Sequence, residues 1–263
     1  MLPKISSFRY DSGQVSFREA GEGPALLFLH GLNGNSKSWR RQFEGLADQF
    51  RLIAWDAPGY GDSSPAEPDI DVYSDIAADL MEGLGIATYA VVGHSMGGVI
   101  AGRLAARHPR RINRLVLSCS QPGMGLAASE SLGQSYVDCI ENRKNLSDNE
   151  FGKFGAGRML PGFIAPDIFN EVAEIASEVR PQGLEAAIRV INYADNRSLL
   201  AGLDCPVLII DAELDPVISP ERTSALEAIM PQAERATIRG AGHAPYLENG
   251  EAYNQIICEF MNS

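Results

Sequence analysis

Three residues of this chain have the types and the order that nucleophilic catalysis needs: Ser95, Asp215 and His243. Ser95 lies in Gly93-His94-Ser95-Met96-Gly97, a G-x-S-x-G pattern directly after the apolar run YAVV and directly before an amphipathic stretch. Glycines two before and two after a serine let a strand and a helix approach closely, while the serine takes a strained apex conformation. A glycine-rich strand-to-helix turn can also cradle a phosphate. Here G-x-G-x-x-G is absent, and no acidic residue ends the next apolar run, which reads LVLSCSQPG. The nucleophile reading is therefore preferred.

A serine hydroxyl attacks poorly until a base takes its proton and a third group orients that base. His243, in the loop-like RGAGHAP, is the candidate base. The stretch IIDAELDPV offers three acids, Asp211, Glu213 and Asp215. Asp215 precedes Pro216, which favours the extended or turn backbone of a loop acid, and is preferred; Asp211 and Glu213 stay open as alternatives. An oxyanion also needs two preorganised N–H donors. Met96, next to Ser95 at a helix N-terminus, offers one, and Leu32 in His30-Gly31-Leu32-Asn33-Gly34 is the best candidate for the other. His30 reads as a fastener of that loop and Asn33 as a turn residue.

These residues need a rigid frame. Two runs near 4–10 and 14–20 flank the turn signal Asp11-Ser12-Gly13 and predict an antiparallel hairpin. ALLFL (25–29), RLIAW (51–55), YAVV (89–92), RLVLS (114–118), VLII (207–210) and RATIR (235–239) predict six further strands. The first four of these are apolar throughout, as strands buried on both faces of a parallel sheet should be. Helices are expected over Trp39–Leu46, Tyr73–Gly85, Met96–His108, Ser219–Met230 and Tyr246–Met261. The alternation predicts an α/β fold with a mostly parallel sheet covered on both faces. Residues 121–200 break the rhythm with Pro161, Pro166, Pro181 and many glycines, and predict a helical cap inserted into a core of residues 1–120 and 201–263.

Composition narrows the partners. With 34 acidic against 22 basic residues the net charge is −12, which argues against nucleic acid and anionic membranes as partners. The four cysteines show no CxxC and the four histidines no HExxH, so no metal site is expected and the thiols should be free. The start, MLPKISSFRY, has no apolar signal region, and the longest apolar runs are strand-sized; a soluble, cytoplasmic protein is expected. Oligomeric state is not legible.

Together HGLNGNSKSW (30–39), DAPGYGDS (56–63), GHSMGG (93–98), DAELDPV (211–217) and GAGHAPYLEN (240–249) resemble the α/β-hydrolase superfamily from about residue 14 to 261. That resemblance implies an eight-stranded sheet, a helical cap between strands six and seven, and acyl transfer to water without a cofactor. It implies Ser95 as nucleophile, Asp215 as acid, His243 as base, and the N–H groups of Leu32 and Met96 as the oxyanion hole. Among its branches the chain is most similar to small esterases, 3-oxoadipate enol-lactonases and carbon–carbon hydrolases. Dehalogenases of the superfamily carry Asp where this chain has Ser95. Some relatives carry the acid after strand six, where this chain reads Cys119-Ser120-Gln121, and many carry glycine where it has Asp211.

The substrate is expected to be a small ester, lactone or keto acid. Pocket candidates are Trp39 from the core and Tyr136, Arg143, Arg158 and Met159 from the cap, with Arg158 or Arg143 able to pair a substrate carboxylate. The leading expectation is an ester or lactone hydrolase working through an acyl-enzyme. Alternatives are a carbon–carbon hydrolase of vinylogous keto acids, a perhydrolase or acyltransferase, and a small-molecule receptor that keeps the fold.

Overall fold

The computed structural model describes residues 2–127, 129–162 and 165–263. The chain opens with strands β1 (Ile5–Tyr10) and β2 (Gly13–Ala20), followed by β3 (Ala25–Leu29), α1 (Arg40–Leu46), β4 (Arg51–Trp55) and α2 (Ile70–Gly83). Next come β5 (Tyr89–His94), α3 (Met96–Arg107) and β6 (Ile112–Ser118). Helices α4 (Gln134–Asn145), α5 (Asp148–Met159), α6 (Pro166–Ser177), α7 (Pro181–Tyr193) and α8 (Arg197–Leu200) then intervene before β7 (Val207–Ala212). The chain closes with α9 (Pro220–Ile229), β8 (Glu234–Ile238), α10 (Pro245–Glu248) and α11 (Gly250–Asn262).

The eight strands form one sheet in the order β1-β2-β4-β3-β5-β6-β7-β8. Only the β1–β2 and β2–β4 pairs are antiparallel. From β4 onward every neighbour is parallel, so the carboxyl ends of β3, β5, β6, β7 and β8 share one edge. Side chains alternate across the sheet as the two-residue strand period requires. Leu27, Leu29, Ile53, Trp55, Val91 and Leu117 join one core with Tyr73, Leu80, Ile100 and Leu104 of α2 and α3. Leu26, Phe28, Leu52, Val92, Leu208 and Ile210 join the other with Phe43, Leu46, Tyr253 and Phe260 of α1 and α11. Each such side chain, once fully buried, contributes about 1.5–3 kcal/mol.

Two helix boundaries differ from the periodicity. α2 begins at Ile70, three residues before the expected Tyr73, because the Asp69 carboxylate accepts from the N–H groups of Asp71 and Val72 and caps the helix there. The expected last helix is two helices, α10 and α11, broken at Asn249, whose side chain accepts from Ala252 N–H and starts α11 afresh. Among the described residues no helix is long and apolar enough to cross a membrane.

Close approach at the β5–α3 turn fixes two glycines. A Cβ on Gly97 would press into the carbonyls of Leu29 and His30, and one on Gly93 into the Gly97 carbonyl. Gly157, on the exposed face of α5, has nothing within 4 Å of a built Cβ. Gly97→Ala should therefore lose about 3 kcal/mol, the upper end for overpacking, and lower Tm by several degrees. Gly157→Ala should instead gain about 0.5–1 kcal/mol from helix propensity. Calorimetric melting of the two variants checks both signs.

Candidate active site

Ser95 stands between the end of β5 and the start of α3 with φ 53° and ψ −117°. A serine rarely occupies this backbone region, and its own hydrogen bonds hold it there. Ser95 N–H donates to Ser118 O at 2.9 Å, and its carbonyl accepts from Ser120 Oγ at 2.7 Å and Gly98 N–H at 2.9 Å. The turn thrusts Oγ away from the sheet edge to 3.0 Å from His243 Nε2. On the other side of the ring, His243 Nδ1 lies 2.8 Å from Asp215 Oδ2. An ionised carboxylate only accepts, so Nδ1 carries the proton and Nε2 presents a lone pair to the serine hydroxyl.

Asp215 is oriented by its own turn. Its Oδ1 accepts from Val217 N–H at 2.7 Å and Ile218 N–H at 3.0 Å. Burial alone would raise its carboxyl, but the hydrogen bond and charge of His243, with the Ile218 and Val217 N–H groups, outweigh burial and hold it below the usual carboxylate range. Of the three acids in IIDAELDPV, Asp215 is thus the one at His243. Glu213 Oε2 instead accepts from Gly240 N–H at 2.8 Å, and Asp211 bonds Thr223.

The histidine loop is fastened from three directions. Glu248, the last residue of α10, accepts from Gly242 N–H with Oε2 at 2.8 Å and from Ala244 N–H with Oε1 at 3.0 Å. His243 N–H itself donates to Met159 O at 2.8 Å, at the end of α5. The break between α10 and α11 leaves Glu248 where its carboxylate spans both neighbours of His243. Sequence reasoning missed Glu248; a carboxylate five residues beyond the candidate base was the only signal.

Beside Ser95 runs the loop after β3. A Cβ built on Gly31 would lie 3.1 Å from Ser95 Cβ. The loop is fixed by Gly34 N–H to Gly31 O at 3.0 Å and by Tyr60 Oη–H to Leu32 O at 3.0 Å. His30 fastens it as the sequence suggests, with Nδ1 at 2.8 Å from Gly31 O and Nε2 accepting from Ala57 N–H at 3.0 Å. Met96 N–H, at the first position of α3, has no acceptor within its own helix. Among the described residues Leu32 N–H likewise donates to no protein acceptor. Both flank the same cavity.

That cavity, about 80 Å³, has Ser95 and His243 in its wall. Tyr136, Arg158 and Met159 line it, together with Leu32 and Met96. Trp39 and Arg143 do not, which corrects the expectation for both. Trp39 is fully buried one layer behind, its ring 5.0 Å from Tyr246 and 4.8 Å from Phe28; Tyr246 is the ring that reaches the cavity. Arg143 is consumed within the inserted helices: its guanidinium donates to Val179 O and to Asp148 Oδ1 and stacks 5.2 Å over Phe151. Sequence reasoning missed His94, Gln121, Ile218 and Arg222 in the wall. His94 packs 4.8 Å from His243, and burial first, then that neighbour's charge, pushes its ring well below the ordinary histidine range.

Cys119, Asp215 and His243 offer sulfur, oxygen and nitrogen within 4.8 Å of one another. Burial and the Asp215 charge push the Cys119 thiol far up, so it stays protonated, and Asp215 and His243 already satisfy each other. The donor set suits proton transfer better than cation binding.

Residues 24–250 match the family described as "alpha/beta hydrolase fold". The chain belongs to that family. A pimeloyl-(acyl-carrier protein) methyl ester esterase of Chromobacterium violaceum is 29% identical over 254 residues, covering 92% of this chain and 96% of its own. Among solved structures, an enol-lactonase of Burkholderia xenovorans superposes with a TM-score of 0.88 at 21% identity, covering 98% of this chain and 100% of its own. A thermophilic esterase of Thermogutta terrifontis gives 0.86 at 23% identity and covers 98% of each chain. At these identities the two structures speak for the hydrolase fold alone.

Within this hydrolase fold, Asp211 bears on stability. Burial, then the charge of Glu227, raises its carboxyl to about 6. An unfolded aspartate ionises near 3.9 (roughly). Between about pH 4 and 6 the folded chain therefore holds the extra proton, and stability falls as pH rises through that window. Asp211→Asn, which keeps an acceptor for Thr223, should raise Tm at pH 7.5 by on the order of 2–4 °C, allowing for partial exposure. The gain should vanish below about pH 4; melting curves across pH measure it.

Proposed function

We propose that the protein hydrolyses small carboxylic esters, lactones included, through an acyl-enzyme on Ser95. The observation that carries this reading is the unbroken chain from Ser95 Oγ to His243 to Asp215, opening on a cavity flanked by the Leu32 and Met96 N–H groups. The names of the Chromobacterium esterase and the Burkholderia enol-lactonase agree with ester and lactone bonds as the target class.

The chemistry follows from the geometry. As Ser95 Oγ attacks the substrate carbonyl, its proton passes to His243 Nε2, and the imidazolium is stabilised by ionised Asp215 on Nδ1. The carbonyl oxygen gains negative charge, and the Leu32 and Met96 N–H groups are positioned to donate to it. Collapse breaks the bond to the alkoxy oxygen, which takes the proton from His243 and leaves as the alcohol. Water then attacks the acyl-serine, with His243 again as base, and releases the carboxylic acid. Glu248 acts through His243 by holding the loop on either side of it.

Burst kinetics with p-nitrophenyl acetate and butyrate test the reading. A pre-steady-state burst near one equivalent is expected, and Ser95→Ala should abolish it and lower kcat by on the order of 10⁴-fold or more. Asp215→Asn should also fall on the order of 10⁴-fold, while Asp211→Asn stays within a few-fold of the native rate. Native-like turnover by Ser95→Ala would overturn the nucleophile assignment.

A further inference from the structure

Among the polar side chains of the cavity wall that take no part in the proposed proton transfers are Gln121, Arg158 and Arg222. Gln121 follows β6 and Arg222 lies on α9, which follows β7, so the ends of two paired strands bring them to one cavity. Gln121 is 7% exposed. Among the described residues its side-chain amide makes no hydrogen bond to protein and is left to the cavity it lines. Arg222 uses its backbone N–H to bond Ser219 O at 2.9 Å. Its guanidinium makes no ion pair or hydrogen bond among the described residues, in a chain with 34 acidic residues to choose from. Arg158 has only the Ser135 carbonyl at 3.3 Å and the Phe154 ring at 5.6 Å, and no carboxylate. The remaining wall is largely apolar, with Val99, Ile191, Val217 and Ile218 in it.

An apolar cavity that keeps a free guanidinium and a free buried amide is prepared for one anionic group on its ligand. Guanidinium and amide donors match a planar carboxylate, which an arginine fork binds bidentately. The small cavity limits the chain between that carboxylate and the scissile carbonyl to a few carbons. We propose that Arg222 and Gln121, with Arg158 as a second cation, select substrates whose acyl part ends in a carboxylate: half-esters of short dicarboxylic acids, or lactones carrying an acid group. This rests on the ester-hydrolase reading and names its substrate class. It moves the leading carboxylate contact from the expected Arg158 or Arg143 to Arg222, immediately beyond the turn that holds Asp215.

Monomethyl glutarate and dimethyl glutarate, followed by acid release at constant pH, differ at the remote group by one charge. The native enzyme is expected to favour the monoester in kcat/KM. Arg222→Gln should lower the monoester-to-diester ratio by about 10- to 100-fold, chiefly through KM, and Arg222→Lys should restore part of it. A native preference for the diester, or an equal loss on both esters in Arg222→Gln, would overturn the proposal and leave the hydrolase reading standing. If the native enzyme cleaves neither ester and a fluorophosphonate fails to label Ser95, the hydrolase reading itself fails. Binding then decides: calorimetry of Ser95→Ala with glutarate and with uncharged glutaramide should show glutarate bound preferentially, and adding Arg222→Gln should remove that preference. Absence of glutarate binding to Ser95→Ala would overturn the anion site whatever the reaction.

Discussion

A serine held at φ 53° is the constraint on which the rest of the site depends. Such a backbone costs on the order of 1–3 kcal/mol and persists only where its surroundings over-determine it. Here they do. The β5–α3 crossing is so tight that Gly93 and Gly97 have no room for a Cβ, and Ser118 and Ser120 anchor the apex from the neighbouring strand end. The parallel sheet supplies the other half of the constraint. It collects the carboxyl ends of six parallel strands, β3 to β8, along one edge, so a loop acid after β7 and a loop histidine after β8 reach the same serine although 120 and 28 residues of chain separate the three in turn.

Electrostatics at that edge work against the overall charge. The chain carries a net charge of −12, and adding a buried carboxylate to it is unfavourable unless local donors compensate. Asp215 receives two backbone N–H groups and the imidazole N–H, and stays ionised. Glu248 receives two backbone N–H groups but no cation, and burial leaves its carboxyl above the usual range. His94, pressed against His243, stays neutral and so adds no second positive charge beside the base.

Much of this was legible in the sequence, and the parts that were not share a cause. Strand runs such as YAVV and VLII show their double-sided burial directly, and G-x-S-x-G reveals its turn because only glycine fits there. Pro216 separates Asp215 from Asp211 by backbone preference, and the structure adds the turn hydrogen bonds at Asp215 that the letters cannot show. The pocket wall was different. Arg143 and Arg222 are equally plausible letters in a sequence, and only packing reveals that Asp148 and Val179 occupy the first while the second has no partner among the described residues. Trp39 was misplaced for the same reason: a ring one layer behind the cavity and a ring at its surface have the same sequence signature. Patterns with a period or a forced backbone are local and readable, whereas a side chain's partner comes from elsewhere in the chain.

The helices between β6 and β7 are tied to the loops around Ser95 and His243, so cavity shape and the alignment of those two side chains cannot vary independently. Arg180, just before α7, donates to the carbonyls of Gly59, Tyr60 and Ser63, and Tyr60 in turn holds the Leu32 carbonyl of the loop after β3. At the end of α5 a single residue joins three parts. The Met159 carbonyl accepts from His243 N–H, its sulfur accepts from Asn33 Nδ2 at 3.7 Å, and its side chain belongs to the cavity wall. A change at Met159 that reshaped the cavity would also shift the His243 loop and the loop that carries Leu32 and Asn33. The contacts of Met159 therefore shape the cavity and hold the loop beside Ser95 and the loop of His243 at once. Substitutions that reshape the cavity without moving those loops must therefore fall at wall positions, such as Ile191, whose apolar side chains have no hydrogen bonds to them.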